Sequence, residues 1–216
     1  MIVVCGGIKG GGGKTTIATN LAVMRSQAGK DVLSVDADEQ DSASDFALVR
    51  NEVFAEQGGA GFTSVKLRGA AVRSEVAHMA DKYDDVIIDA GGRDHSSHRA
   101  ALLVADIYLV PLFPGSFDVW TLATVSQLIE EASVFNDNLK SLCFLNRADA
   151  QGSENEEAAR IVKETASLTY LDQPIGFRKA FRKAAAEGKA VIEFKPKDKK
   201  AIEEIQRLYI SVFGQL

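Results

Sequence analysis

The amino-acid sequence predicts an α/β fold, in which a doubly wound, mainly parallel sheet carries helices on both faces. Short apolar runs alternate along the chain with stretches of helical spacing, and this alternation builds parallel sheets. The apolar runs, predicted as strands, lie at 2–6, 31–36, 62–66, 84–89, 106–112 and 140–145. The helical stretches lie at 14–28, 41–56, 68–81, 94–104 and 116–135. Uninterrupted apolar strands such as 86–88 are typical of a sheet covered on both faces.

Length and composition are consistent with one domain over 1–216. The chain is 46% apolar and 25% charged, which is ordinary for a globular protein with a sizeable core. It has no run of about 18 apolar residues, so no transmembrane helix is predicted. A strand begins almost at the first residue, so we expect no signal peptide and a cytoplasmic protein. Cys5 and Cys143 lie in strand-like runs, which favours buried, reduced thiols.

A glycine-rich stretch joins the first predicted strand to the first helix. Its glycines let backbone N–H groups surround a polyphosphate, and the helix N-terminus attracts the anion. Lys14 could reach the β- and γ-phosphates, and the Thr15 hydroxyl could ligate Mg²⁺. Ile8 stands where the strict G-x-x-x-x-G-K pattern has its first glycine. The predicted nucleotide-binding residues are Gly10, Gly11, Gly12, Gly13, Lys14, Thr15 and Thr16.

A second lysine, Lys9, stands at the start of the same loop. Two lysines supply more positive charge than one phosphate group needs from a single subunit. We therefore expect Lys9 to point towards a nucleotide across a dimer interface, where it would neutralise charge that develops during phosphoryl transfer. Lys9 and Lys14 are both predicted catalytic residues.

Carboxylates follow two other predicted strands. Asp36 and Asp38 come after the strand at 31–36, where they could serve a metal and a water molecule, and Asp89 ends the strand at 84–89. Ligands of such sheets bind beyond the carboxyl ends of the strands. An aspartate that ends an apolar strand beside a phosphate loop commonly holds Mg²⁺ through water, so we predict this role for Asp89. The glycine pair at 91–92 would act as the hinge of a loop that senses the γ-phosphate.

The stretch from Lys9 to Thr16 resembles the deviant Walker A motif of the ParA/MinD family, Lys-Gly-Gly-x-Gly-Lys-Thr-Thr. The resemblance implies a P-loop NTPase fold, with Lys9 crossing the dimer and Lys14 binding phosphate. The segment 36–40, Asp-Ala-Asp-Glu-Gln, is similar to the family's Walker A′ segment, although Glu39 replaces its usual proline. This implies that Asp38 positions the attacking water and that Asp36, with Thr15 and Asp89, supports the Mg²⁺ site.

The family resemblance also implies a function. The chain resembles small plasmid-partition ParA proteins of the ParF type. These would be slow Mg²⁺-dependent ATPases that form an ATP-bound homodimer on nucleoid DNA and segregate plasmids. A ParB-like centromere-binding partner would stimulate hydrolysis. The resemblance places Asn146 against the base of ATP, and residues 113–120 near the partner subunit. The spacing of Asn146 and Asp149 also resembles guanine-binding GTPases, which keeps GTP as an alternative.

Charge is unevenly distributed along the chain. The net charge is −5, but the region 178–200 carries nine basic and three acidic residues, which leaves −11 for the remainder. Such a basic region could bind DNA phosphates without reading bases, as the resemblance implies, or could simply be a solvated face. The predicted DNA-binding residues are Arg178, Lys179, Arg182, Lys183, Lys197, Lys199 and Lys200.

Two other classes of function stay open. One is a cargo-positioning ATPase, either MinD-like on a membrane or acting on the nucleoid. A MinD-type anchor needs a basic amphipathic C-terminus, and residues 213–216, Phe-Gly-Gln-Leu, do not provide one. The other is a metabolic ligase or reductase on the same scaffold. A reductase would need cysteines that hold an iron–sulfur cluster, and strand positions for Cys5 and Cys143 count against it.

Overall fold

The computed structural model describes residues 1–92, 95–114, 119–149 and 153–214. The strands are β1 (Ile2–Cys5), β2 (Val32–Asp36), β3 (Thr63–Lys66), β4 (Asp85–Asp89), β5 (Ile107–Leu112), β6 (Lys140–Ala148), β7 (Thr169–Tyr170) and β8 (Ile175–Gly176). The helices are α1 (Lys14–Gln27), α2 (Ser42–Val53), α3 (Ala71–Met79), α4 (His95–Leu102), α5 (Val119–Ser133), α6 (Ser153–Glu164), α7 (Lys179–Ala186) and α8 (Lys199–Phe213).

The strands form one eight-stranded sheet in the order β3-β2-β4-β1-β5-β6-β7, and β8 also pairs with β6. Every recorded strand pair is parallel. The predicted parallel sheet, its six longer strands and the alternation with helices are therefore confirmed. The sequence did not predict β7 and β8, because a strand of two residues carries no periodic pattern.

Helices cover both faces of this sheet, as predicted. In β1, Val4 packs in the core under α3, α4, α5 and α6, whereas Val3 and Cys5 pack in the core under α1, α7 and α8. Side chains of a strand alternate between its two faces, and here both faces are buried. Cys5 and Cys143 are buried free thiols. None of the helices among the described residues is long and apolar enough to cross a bilayer.

Strand register brings the predicted acidic residues to one edge of the sheet. Asp89 of β4 is level with Cys5 of β1 on one side and with Asp36 of β2 on the other. The loop that leaves β1 therefore begins beside two carboxylates that are distant in sequence. The carboxyl ends of these three central strands form the floor of the candidate site.

Candidate functional site

The phosphate loop occupies residues 6–13, between β1 and α1. Gly11 and Gly13 have φ values of 77° and 88°, in the left-handed region that favours glycine. Gly13 caps α1 without any side-chain hydrogen bond to the first turn, which also contains no acidic residue. The amide groups at this helix end are thus available to an anion. The loop has the geometry that the sequence predicted.

A cavity of about 480 Å³ opens over this loop. Every predicted phosphate-binding residue except Gly12 lines it, and so does Asp38. Lys14 is buried, and its Nζ donates a hydrogen bond to the carbonyl oxygen of Lys9 at 3.3 Å. Lys9 itself is exposed at the loop surface. A buried ammonium group that faces a glycine-rich helix end is suited to bind phosphate oxygens.

Asp89 is the carboxylate best placed to hold a metal ion. Its side chain is 1% exposed, and neither carboxylate oxygen receives a hydrogen bond of normal geometry from any described residue. Burial raises its pKa to about 7, with a smaller contribution from Asp36, while the nearby Thr15 hydroxyl opposes the rise. Because an unpaired buried carboxylate is costly, this arrangement fits a cation that completes the site. Mg²⁺ needs only one or two protein ligands besides phosphates and water.

Asp36 is engaged differently from Asp89, although both were predicted at the metal site. It is fully buried, and its carboxylate accepts hydrogen bonds from the backbone N–H groups of Asp38, at 3.1 Å, and Ser44, at 2.7 Å. The first bond stabilises the turn that follows β2, and the second ties the start of α2 to it. This geometry suits a residue that supports the metal site through the backbone.

Asp38, in the segment that follows β2, contacts the segment that follows β4. Its carboxylate accepts a hydrogen bond from the Gln40 N–H at 3.1 Å and packs against Gly91. Gly92 in turn packs on the loop, where an added Cβ would stand 2.7 Å from the carbonyl oxygen of Ile8. A Cβ at position 92 would therefore meet backbone atoms, whereas a Cβ at position 91 would meet the Asp38 side chain. Residues 93–94 of that segment, and residues 115–118 of the predicted partner-facing stretch 113–120, lie outside the described residues.

A second cavity, of about 400 Å³, lies beside the first and has Asn146 in its wall. The Asn146 Nδ2 group donates a hydrogen bond to the carbonyl oxygen of Gly12 at 2.7 Å, so this side chain also braces the phosphate loop. The size and position of the cavity suit the base and sugar of a nucleotide. Asp149 does not line this cavity but a separate groove beside α6, which weighs against the guanine alternative.

Two residues of this second cavity, Arg147 and Phe177, were not predicted from the sequence. Arg147 adopts φ of 57°, which is uncommon for a residue with a side chain, and it lines both cavities. Its guanidinium lies 5.9 Å from the ring centre of Phe177, a largely exposed aromatic residue on the loop after β8. Both side chains line the cavity beside Asn146. The one sequence signal for this pair is a phenylalanine next to the basic residues Arg178 and Lys179.

The structure divides the predicted DNA-binding residues into two groups. Arg178 and Arg182 line the cavity beside Asn146, and the Arg178 guanidinium is 2.6 Å from the Glu204 carboxylate. The other five residues line one surface groove of about 470 Å³, and they are Lys179, Lys183, Lys197, Lys199 and Lys200. Lys179 lines the cavity beside Asn146 as well as this groove, so the two groups meet at one residue.

Helix α7 contributes to the groove and to both cavities. Lys179 and Lys183, one helical turn apart, line the groove of the five lysines, while Ala185 lines both cavities and Ala186 lines the first. The loop after α7 is held to α2 because Arg50, almost fully buried, donates to the Gly188 carbonyl oxygen and pairs with Glu193. The nucleotide cavities and the basic groove thus share one short helix.

Comparison with known proteins gives a family match over most of the chain. The sequence profile of the CobQ/CobB/MinD/ParA nucleotide binding domain matches residues 2–191. Maintenance of carboxysome distribution protein A from Halothiobacillus neapolitanus is 26% identical over 209 residues, which cover 93% of this chain and 91% of that protein. The protein of the same name from Gloeobacter kilaueensis is 30% identical over 199 residues, covering 90% and 85%.

Solved structures support the predicted P-loop fold. An ATP complex of a McdA variant from Cyanothece has a TM-score of 0.78 at 18% identity, covering 100% of this chain and 97% of that one. A plasmid partition protein from Borrelia burgdorferi bound to AMPPNP has a TM-score of 0.75 at 18% identity, covering 98% of both chains. A cobyrinic acid a,c-diamide synthase from Mycobacterium smegmatis, with bound ADP and magnesium, reaches 0.69 at 20% identity, covering 86% and 92%. The predicted cofactors, ATP and Mg²⁺, agree with these ligands.

Proposed function

This chain belongs to the CobQ/CobB/MinD/ParA nucleotide-binding family and is a ParA/MinD-type ATPase, and we propose that it couples ATP binding to reversible, sequence-independent DNA binding. In this cycle an ATP-bound homodimer binds the nucleoid, and hydrolysis, stimulated by a partner protein, releases it. The single observation that supports DNA binding gated by nucleotide is that α7 lines the nucleotide cavities and also the groove of five lysines.

The chemistry assigned to this site follows from its side chains. Lys14 and the amides at the start of α1 bind the phosphates, while Thr15 and Asp89 hold Mg²⁺ and Asp36 supports them. Asp38 borders the same cavity and aligns the attacking water. A Mg²⁺ ion held by these residues would supply positive charge beside the phosphates. The adenosine occupies the cavity beside Asn146.

Lys9 completes the site in the proposed homodimer. It is exposed on the loop, so its ammonium group can reach a nucleotide held by a second copy of the chain. Positive charge supplied from a partner subunit accelerates phosphoryl transfer strongly in related chemistry. Hydrolysis by the isolated subunit is therefore slow, and dimerisation depends on ATP.

The groove of five lysines is the proposed DNA-binding surface. Lysines concentrated on one surface of an otherwise acidic protein bind phosphates electrostatically and carry no sequence information. DNA binding would then depend on salt concentration and not on base sequence. A chain with this property would associate with the nucleoid in the cytoplasm.

Two cargoes fit this cycle. The first is a plasmid held by a ParB-like centromere-binding protein, in line with the partition protein among the solved structures. The second is a protein compartment, and the two relatives named for carboxysome distribution favour it. Both cargoes use the same nucleotide and DNA chemistry and differ in the stimulating partner. Affinity capture with a hydrolysis-deficient Asp38→Ala chain, loaded with ATP, would separate them by whether the captured protein binds a specific DNA site.

The decisive experiment measures binding to a random-sequence duplex with ATP, ADP or no nucleotide, with Mg²⁺ and at two salt concentrations. We expect binding only with ATP, and weaker binding at the higher salt concentration. A Lys14→Ala chain, which should not bind the phosphates, serves as the matched control. Equal binding in all three nucleotide states, or none at all, would contradict the proposal while leaving the ATPase assignment in place.

A further inference from the structure

Arg68, which none of the sequence motifs includes, holds the turn that presents Asp38. It lies two residues beyond the end of β3, and β3 pairs with β2, so the loops that leave these two strands are neighbours. Its side chain is about one-third exposed and extends along the segment 36–41. Arg68 therefore lies at the carboxyl ends of the strands, as the nucleotide site does.

The Arg68 guanidinium contacts three successive parts of this turn. It donates hydrogen bonds to the carbonyl oxygens of Asp36 and Asp38, the latter at 2.5 Å, and it forms an ion pair with the Asp41 carboxylate. Asp41 also pairs with Lys66 at 2.9 Å, and the pKa of Asp41 is lowered by Lys66 and, to a smaller extent, by Arg68. A planar guanidinium with several fixed donors can make such contacts at once, whereas a lysine cannot.

The turn has little else to hold it in place. Glu39 and Gln40 are exposed, and Asp41 has φ of 54°, a conformation that costs energy for a residue with a side chain. Apart from the contacts with Arg68 and Lys66, the hydrogen bonds that the structure describes for residues 38–41 are local in sequence. Without Arg68, the described hydrogen bonds of the Asp38 backbone would be only those to Asp36 and Asp41.

The loop that carries Arg68 also contacts the segment beyond β4. The N–H of Gly69 donates a hydrogen bond to Ser97 Oγ of α4 at 2.7 Å. α4 follows Gly91 and Gly92, which pack against Asp38 and the phosphate loop respectively. The Arg68 loop thus touches both segments that flank the cavity.

We propose that Arg68 is a positioning residue for ATP hydrolysis, because it holds the turn that directs Asp38 towards the attacking water. This inference rests on the proposed role of Asp38 in hydrolysis. Arg68 does not line the nucleotide cavity, so it acts on the reaction through the turn and not by touching ATP. Its loss should therefore affect turnover much more than ATP binding.

Hydrogen–deuterium exchange on the full chain without nucleotide tests the clamp directly. In Arg68→Ala, exchange at the amides of 38–44 should rise by about tenfold or more, while α1 and the β4 amides stay protected. Arg73→Ala, an exposed arginine of the neighbouring α3, is the matched control and should change neither region. Unchanged exchange at 38–44 in Arg68→Ala would overturn the inference, whether or not the protein hydrolyses ATP.

Single-turnover kinetics then test the catalytic consequence. Arg68→Ala should lower the hydrolysis rate by roughly 10–100-fold, since small misplacements of a catalytic group have effects of this size, while the Kd for ATP changes by less than about threefold. Arg68→Lys should recover only part of the rate. An unchanged rate, or a loss of ATP affinity as large as the loss of rate, would overturn the positioning role.

A double variant separates the clamp from a general effect on stability. If Arg68 acts by pairing with the turn at Asp41, Arg68→Ala combined with Asp41→Ala should be no slower than the slower single variant. If the rate losses of the two single variants multiply in the double variant, Arg68 and Asp41 do not act through the same contact. A wild-type chain that binds ATP but never hydrolyses it would refute the proposed function, whereas the exchange experiment would still decide whether Arg68 is a clamp.

Discussion

The Asp38 carboxylate lies against the backbone of Gly91, so closely that a Cβ atom at Gly91 would stand 2.7 Å from Asp38 Cγ. The contact joins the segment after β2 to the segment after β4. A shift of the segment after β4 towards Asp38 would therefore displace the Asp38 side chain. Gly91 contacts Asp38, whereas Gly92 contacts the phosphate loop. Substitutions at these two positions should therefore have different effects on ATP binding and hydrolysis.

Gly91→Ala should displace the Asp38 side chain and leave the phosphate loop in place. We expect hydrolysis to slow by roughly 10–100-fold with ATP affinity nearly unchanged. Gly92→Ala should instead weaken ATP binding, because its Cβ would meet the backbone carbonyl of Ile8 in the loop itself. Nucleotide titration and single-turnover rates of the two variants would check this, and equal losses of affinity would contradict it.

The stability of the nucleotide-free protein should depend on the ionisation of Asp89. Its pKa is raised from 3.8 to about 7 in the folded chain, mainly by burial, so the folded state binds more protons than the unfolded state between these values. Stability should therefore fall as the pH rises from about 4 to about 7, and then level off, with a loss on the order of 4 kcal/mol at most.

Asp89→Asn is the variant that tests this pH dependence. It should flatten the decline and be more stable than the wild type at pH 8 without nucleotide, while it weakens Mg²⁺-dependent ATP binding. Urea unfolding across the pH range measures the first effect, and nucleotide titration with and without Mg²⁺ measures the second. If the stability of Asp89→Asn falls with rising pH as much as that of the wild type, another titratable group causes the pH dependence.

The two lysines of the loop should have separable roles. Lys9→Ala is expected to abolish ATP-dependent dimerisation while the monomer still binds ATP, because Lys9 is exposed and Lys14 is buried in the cavity. Lys14→Ala should lose ATP binding itself. Analytical ultracentrifugation and a fluorescent nucleotide distinguish these outcomes, and normal dimerisation of Lys9→Ala would remove the proposed role across the interface.

Removal of lysines from the groove should weaken DNA binding without affecting ATP hydrolysis. For the triple change of Lys183, Lys197 and Lys200 to Ala, the slope of log K against log salt should fall by roughly 0.9 for each DNA phosphate that the variant no longer neutralises. Arg73→Ala is the matched control, because Arg73 is an exposed basic residue that lines neither the groove nor the two nucleotide cavities. If Arg73→Ala weakens DNA binding as much as the triple change does, the groove is not the main surface.

Sequence patterns were sufficient for the features that are local in the chain. The strand, glycine loop and helix around Lys14 follow from apolar periodicity and from glycines at consecutive positions, and the structure has them where they were predicted. The carboxylates at the ends of β2 and β4 could also be predicted, because parallel strands align their carboxyl ends. Each of these inferences needs only a short stretch of sequence and a general rule of sheet geometry.

The partners of individual side chains could not be predicted in this way. The sequence indicated that the basic region forms one surface. In the structure Arg178 pairs with Glu204 and lines the cavity beside Asn146, while five lysines line a separate groove. A charge run does not specify the face to which each residue points, since this depends on how α7 and α8 pack on the sheet. Asn146 was predicted at the base, and the structure adds that it braces the loop at Gly12.

The sequence by itself determined the fold class and the nucleotide chemistry, because a phosphate loop is read from contiguous residues whose backbone conformations are set locally. Only the tertiary structure decided which side chains support that chemistry. Arg68 meets Asp38 because β3 lies next to β2. The sheet buries Asp89 between Cys5 and Asp36, where its carboxylate oxygens receive no hydrogen bond of normal geometry from the described residues. Such contacts join residues distant in the chain, and no local pattern specifies which strands become neighbours.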